Sequence, residues 1–232
     1  GFGDCFCLRN RKKSLLEDFG TNNSRIEGRP RREIFDVIIS DLSTIKSKNL
    51  LLTHFHMDHL SGLLYMMKKK DISVDFGKIY LPDVFSKKEM SRTLVLLLLA
   101  DLLKESGLPS RQVSLFALVD ALLENKQNVE LLSRGKLFEN KYQALWPDTD
   151  VIRKETDEVY NRICEDGKFK EVMDVLLEFA EKLRLIVWSM TAEGNKPAET
   201  VEKETDLTAS ELTEQPEVRQ KIIRAYVYER EF

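Results

Sequence analysis

The sequence predicts an α/β chain built on one layered sheet, and three observations predict it. Short apolar runs bounded by Gly, Asn and Ser turns fill residues 1–53. The spacing of apolar residues then lengthens to that of a helix after Leu60, and a strand-like run returns at Lys78–Pro82. Strand, loop, helix and strand in that order is the pattern of a sheet carrying helices on its faces. At 232 residues and 42% hydrophobic, the chain is long enough to bury a sizeable core.

In chain order, "GFGDCFCLRN" (1–10) and "KKSLLEDFG" (12–20) are expected to form the first strands, followed by "FDVIIS" (35–40) and "NLLLT" (49–53). Cys5 and Cys7 alternate with Phe6, which predicts one buried face of a core strand rather than a metal site. "LSGLLYMMKKK" (60–70) reads as a helix, and Lys78–Pro82 as the next strand. Residues 86–126 carry Leu, Ala and Val at helix spacing, with "GLPS" (107–110) separating two helices. A strand pair is expected at "NVELLSRG" (128–135) and "KYQALWPD" (141–148). Residues 152–190 are helical with a break at "EDGKF" (165–169), and Val172, Val175, Leu176, Phe179, Leu183 and Ile186 form one packing stripe. Residues 191–217 are rich in Glu, Thr and Ala and hold no aromatic residue, the composition of a flexible acidic linker. Residues 218–232 are expected to supply a helix end and a strand returning to the core. The expected organisation is therefore a domain over 1–150, a helical insertion over 151–190, the linker, and that returning strand.

The net charge is only −3, so no whole-protein field selects a nucleic-acid or membrane partner. Residues 1–90 hold 16 Lys and Arg against 12 Asp and Glu, and residues 91–232 hold 20 against 27, a mild asymmetry. Three cysteines form neither a disulfide framework nor zinc-ligand pairs, which points to a reducing, cytoplasmic location. The longest apolar run, Thr93–Leu103, is too short to span a bilayer and contains Asp101. The chain opens at Gly1 already inside a strand-like run, so an initiator upstream is expected. There is no internal repeat and no nucleotide-binding glycine loop.

All three histidines fall within six residues, His54-Phe-His56-Met-Asp58-His59, between an apolar strand and a helix. On a strand the side chains of His54 and His56 project to one side and can grip one ion through two imidazoles. If the strand ends there, Asp58 and His59 turn toward the same point. Borderline ions such as zinc favour imidazole with carboxylate, and two such ions about 3.5–4 Å apart can serve a hydrolytic water and its leaving group.

These residues resemble the signature H-x-H-x-D-H of the metallo-β-lactamase-fold hydrolases. "GFGDCFCLRN" followed by "SLLEDFG" is also similar to the opening of those members that include the hydrolase domain of the bacterial DNA-uptake channel, through Gly3, Asp4, Asp18 and Gly20. The likeness spans Gly1 to about Asp148, with "VELLSRG" and "ALWPD" resembling later strands of that subgroup.

The resemblance implies an αβ/βα sandwich, present in part, with a large helical insertion. It implies that His54 and His56 bind a first metal and that Asp58 and His59 bind a second. It makes Asp58 the catalytic residue and Asp18 a neighbour that steadies the metal loop. The implied cofactor is one or two Zn2+ ions, or Mn2+, lowering the pKa of a bound water to about 7 from about 15.7 so that hydroxide attacks. The resemblance further implies a third histidine, a bridging aspartate and a last histidine from later strands, yet no histidine follows His59. The missing ligands are therefore expected beyond Phe232, or the site is incomplete and the chain is no enzyme.

The function expected is a metal-dependent phosphodiesterase or nuclease. Basic clusters at Arg9–Lys13, Arg29–Arg32 and Lys68–Lys70 are candidates to meet phosphates, against the reading of an ordinary solvated surface. Hydrolysis of a small-molecule ester, thioester or lactam is the alternative. A non-catalytic metal-binding interaction module, docking through its helices, is the reading from another class.

Overall fold

A computed structural model describes residues 5–9, 13–69, 75–104 and 115–192, without the side chains of Leu103, Lys104 and Lys168. Gly3, Asp4, the break at 107–110, most of the expected linker and the expected final strand lie outside the described residues. In chain order the elements are β1 (Phe6–Arg9), β2 (Ser14–Glu17), β3 (Arg25–Ile26), β4 (Arg29–Pro30), α1 (Arg31–Ser43), β5 (Lys48–Leu51), α2 (Met57–Met67) and β6 (Ile79–Pro82). A 3-10 turn at Lys88–Met90 leads into α3 (Ser91–Lys104), and then come α4 (Leu115–Glu124), β7 (Val129–Leu132), β8 (Leu137–Phe138), β9 (Tyr142–Gln143), α5 (Thr149–Glu165) and α6 (Gly167–Ser189). The chain is α/β with a mixed five-stranded sheet in the order β1-β2-β5-β6-β7. It divides into two compact units, one from Gly1–Pro82 and Gln112–Glu130, the other from Asp83–Arg111 and Leu131–Phe232.

In the first unit β2 runs parallel to β5, with Leu16 opposite Leu50, and β5 runs parallel to β6, with Leu50 opposite Ile79. Leu16, Leu50 and Ile79 share one buried face, and the burial of successive residues Leu15 and Leu16 on β2 and Ile79, Tyr80 and Leu81 on β6 is that of parallel strands covered on both faces. Lys48, also buried, turns its ammonium to the Ile45 carbonyl at 2.8 Å, and burial holds its pKa below the ordinary lysine value. β1 pairs antiparallel with β2 and forms one edge of the sheet. Every residue of β1 is exposed, and so are Cys5 and Cys7, which corrects the expectation that the two cysteines face the core. Alternation identifies a strand but not how many of its faces are covered.

"FDVIIS" is not a strand but the middle of α1. Its β-branched run favours a strand locally. Phe35, Ile39 and Leu42, however, fall at helical spacing and are the residues of α1 that become buried. Phe35 meets the ring of Phe19 edge-on at 5.3 Å and that of Tyr65, on α2, at 5.8 Å. On α2 the buried residues are Leu60, Ser61, Gly62, Leu63, Leu64 and Met66, and α4 packs against it with its own buried face, Leu115, Leu118, Val119 and Leu122 among it.

In the second unit α3, α5 and α6 pack on one another. Of the expected stripe on α6, Val172, Leu176, Phe179, Leu183 and Ile186 are buried while Val175 is half-buried; Met173, Ala180 and Val187 widen the buried face. The helical region breaks at Asp166, inside the expected "EDGKF". Asp148 caps α5, its carboxylate accepting from the amides of Asp150 and Val151, and the Arg134 guanidinium holds its pKa below the ordinary carboxylate range. Burial pushes the Tyr160 phenol up to about 12. The expected pairing of "NVELLSRG" with "KYQALWPD" forms only at the ends of those segments, the Arg134 amide donating to the Pro147 carbonyl and the Gly135 amide to the Ala144 carbonyl, both at 2.8 Å; the strands themselves pair elsewhere, β7 in the main sheet and the short β9 with β8. The turn at Glu139 and Asn140, both with positive φ, brings β8 and β9 together.

Candidate metal centre

The histidine cluster lies in the first unit, where β5 gives way to α2. Leu52 makes the last ladder bond of that strand, its amide donating to the Tyr80 carbonyl at 2.9 Å. The Thr53 amide then donates to Asp18 Oδ1 at 2.8 Å, so the chain leaves the sheet at that residue. His54 and His56 are therefore not on a strand, as the sequence led us to expect. His54 sits in irregular backbone, and His56 is the extended N-cap residue of α2 at φ −79°, ψ 148°. Asp58 and His59 lie in the first helical turn, and the His59 amide donates to the His56 carbonyl at 3.0 Å. A helix N-terminus favours the Asp58 carboxylate there, an effect worth about 0.3–1 kcal/mol.

The rings converge all the same. His54 and His56 are 4.7 Å apart between centroids, and His54 and His59 are 3.8 Å apart. His54, His56 and Asp58 each offer a ligand atom within 4.8 Å of the others, and all three are half-buried. Two ligands of one zinc ion, bonded at about 2.0–2.2 Å, lie no more than about 4.4 Å apart, a separation close to this bound. His59 Nε2 lies 3.9 Å from Asp58 Oδ1, beside the same group. Two imidazoles and a carboxylate form a donor set that suits zinc or manganese. Between these residues Phe55 is buried, whereas Met57 is only half-buried.

Asp18, Thr53, His54 and His59 form a connected network behind the ligand atoms. Asp18 is buried at 2% exposure with a left-handed φ of 54°, a conformation aspartate tolerates better than most residues. Its Oδ2 receives the Thr53 hydroxyl at 2.6 Å and His59 Nδ1 at 2.7 Å. Asp18, His54 and His59 also lie close enough to form a ligand set. Donors on both Asp18 oxygens make that carboxylate a hydrogen-bond acceptor behind His59 as the side chains stand. A carboxylate behind a metal-binding histidine fixes both the ring and its tautomer. The pKa of His54 is held below the ordinary histidine value by burial first, and then by His59 and His56, against the opposing pull of Asp18 and Asp58, a direction that favours the neutral form able to ligate.

The loop from Asp18 to Thr21 is clamped to the start of α2. The amides of Gly62 and Leu63 both donate to the Phe19 carbonyl, at 2.9 and 3.0 Å, and the Phe19 amide donates to the His59 carbonyl at 2.9 Å. The buried Ser61 hydroxyl donates to the Thr21 carbonyl and accepts from the Thr21 amide, both at 2.8 Å. A Cβ on Gly20 would stand 2.6 Å from the Leu60 nitrogen and 2.7 Å from the His59 carbonyl carbon, so only glycine fits there. Thr53, Ser61 and Gly62 were not singled out from the sequence. Their only signal was position, a hydroxyl just before the first histidine and a Ser-Gly pair just after the last.

Of the three basic clusters, Arg29 and Arg32 are exposed, together with Arg25 on the paired strand β3. Arg31 reaches the Thr21 carbonyl at 3.4 Å, which ties this hairpin to the loop that carries Asp18. Lys69 is engaged with Asp36, and Lys70 and residues 10–12 lie outside the described residues. No described helix is long and apolar enough to cross a membrane. Compared with family models, with curated proteins and with solved structures, the chain matches none.

Proposed function

We propose that this chain carries the metal-binding part of a metallo-β-lactamase-like, metal-dependent hydrolase that cleaves phosphodiester bonds. The observation that carries this reading is the convergence of His54, His56 and Asp58 within one ion's reach, with His59 alongside and held from behind by buried Asp18. A divalent cation bound there, zinc or manganese, would supply Lewis-acid activation of water and charge stabilisation at the reacting centre. His54 and His56 would hold it, with Asp58 completing the set. Asp58, at the positive end of α2, is also the group to orient the attacking water and take its proton. Asp18 keeps His59 in place and turns its Nε2 outward.

The choice of a phosphodiester over a lactam, ester or thioester rests on charge. Arg25, Arg29 and Arg32 stand exposed on a hairpin and helix start that continue directly from the Asp18 loop, and such groups favour a polyanion. The test has two arms. Protein stripped of metal and dialysed against zinc or manganese should retain at least one equivalent by elemental analysis, and none retained would remove the reading. In a longer chain that supplies the remaining metal ligands and hydrolyses a generic phosphodiester, Asp58→Ala should lower that turnover by about 100-fold or more while leaving the circular dichroism spectrum unchanged, and turnover equal to that of the same unsubstituted chain would refute its role.

A further inference from the structure

Thr53 stands between two groups that both need a partner. Its hydroxyl is 2.6 Å from Asp18 Oδ2 on one side and 2.8 Å from His54 Nδ1 on the other. A carboxylate only accepts hydrogen bonds, while a threonine hydroxyl has one hydrogen to give and lone pairs to receive. Asp18 Oδ2 thus takes the one hydroxyl hydrogen, which leaves Thr53 Oγ1 able only to accept from His54. That contact then requires a hydrogen on His54 Nδ1. By the same count the 2.7 Å contact between His59 Nδ1 and Asp18 Oδ2 requires a hydrogen on His59 Nδ1. One carboxylate, acting directly on one ring and through a hydroxyl on the other, leaves both Nε2 atoms as bare lone pairs.

We propose that Thr53 is a positioning residue that relays the Asp18 carboxylate to His54, fixing His54 as its Nδ1–H tautomer and so selecting Nε2 as its metal-binding atom. The metal half of this inference rests on the hydrolase reading above; the tautomer half belongs to the metal-free protein. Thr53 is itself exposed, so its hydroxyl is set by these two partners and by the bond of its own amide to Asp18 Oδ1, not by enclosure in a core.

Thr53→Val is the informative change, because it keeps the branched shape and the backbone bond to Asp18 and removes only the hydroxyl. Thr53→Ser restores the hydroxyl without the methyl group. In the metal-free 232-residue protein at about pH 8, above the ordinary histidine pKa of about 6.5, long-range proton–nitrogen NMR on 15N-histidine reports each ring's tautomer. The unsubstituted protein should show Nδ1–H at both His54 and His59. Thr53→Val should move His54 toward the Nε2–H form and leave His59 unchanged, and Thr53→Ser should match the unsubstituted protein.

Zinc affinity measured by competition with a chelating dye should fall about 10- to 100-fold in Thr53→Val and recover in Thr53→Ser. An unaltered His54 tautomer in Thr53→Val, or a loss of zinc affinity that serine does not restore, overturns the assignment. Failure of the unsubstituted protein to bind zinc at all overturns the hydrolase reading instead. The two failures are told apart because the tautomer spectra are recorded without metal.

Discussion

At the scale of single residues, the site depends as much on what is absent as on what is present. The three histidines and Asp58 have visible chemistry, but their convergence depends on Gly20 admitting the backbone of residues 58–60 and on Gly62 admitting the Phe19 ring, whose atoms would stand 2.6 Å from an added Cβ. A methyl group at position 20 would press on backbone, which yields far less than a flexible side chain. Gly20→Ala is therefore expected to cost about 1–3 kcal/mol, read as a drop in Tm, and to weaken zinc binding by displacing His59. Gly167→Ala is the control: nothing lies within 4 Å of its added methyl, so at this helical position it should be neutral or raise Tm slightly. Equal effects at the two glycines would refute the close-approach argument. Asp18 was legible in the sequence only through a family resemblance. Thr53 was not legible at all, because its meaning comes from a carboxylate 35 residues away.

At the scale of elements, α1 shows where local preference and tertiary packing disagree. A strand over residues 35–40 would put Phe35, Val37 and Ile39 on one face. The helix buries Phe35 and Ile39 and leaves Val37 at 54% exposure. The two arrangements predict different mutational costs. Ile39→Ala should destabilise the chain by about 2–5 kcal/mol and Val37→Ala by about 0.5 kcal/mol or less, both measured by urea denaturation. Comparable losses at both positions would return the segment to a strand. Packing overrides the β-branched preference here because the helix buries Phe35 beneath Phe19 and Tyr65, an aromatic cluster that links α1 both to α2 and to the Asp18 loop. The same helix α2 supplies Asp58 and His59, so the packing of α1 bears on the chemistry one layer away.

At the scale of the whole molecule, the metal centre is expected to connect stability to ligand concentration. An ion that binds the folded chain and not the unfolded one raises stability by about 2.7 kcal/mol at a free concentration 100 times Kd. Thermal melts of the metal-free protein should therefore shift upward with added zinc, in proportion to the logarithm of its concentration. The shift should vanish when His54 and His56 are both replaced by alanine, and persistence of the full shift in that double variant would place zinc elsewhere. The charge asymmetry between residues 1–90 and 91–232 gives this scale little else to act on, with a net charge of only −3.

By itself the sequence determined the α/β class, the helical region over residues 152–190 with its break, and a His/Asp cluster that could hold an ion, because each is written in spacing and residue type along a short stretch. Only the tertiary structure decided that β1 is exposed at the edge of the described sheet, that "FDVIIS" is a helix, that His56 caps a helix instead of ending a strand, and that Asp18 and Thr53 stand behind the ligands. The division has one physical cause. Periodicity records which faces of a segment are apolar, whereas burial, hydrogen-bond partnership and the direction a ring presents depend on what distant segments bring against it.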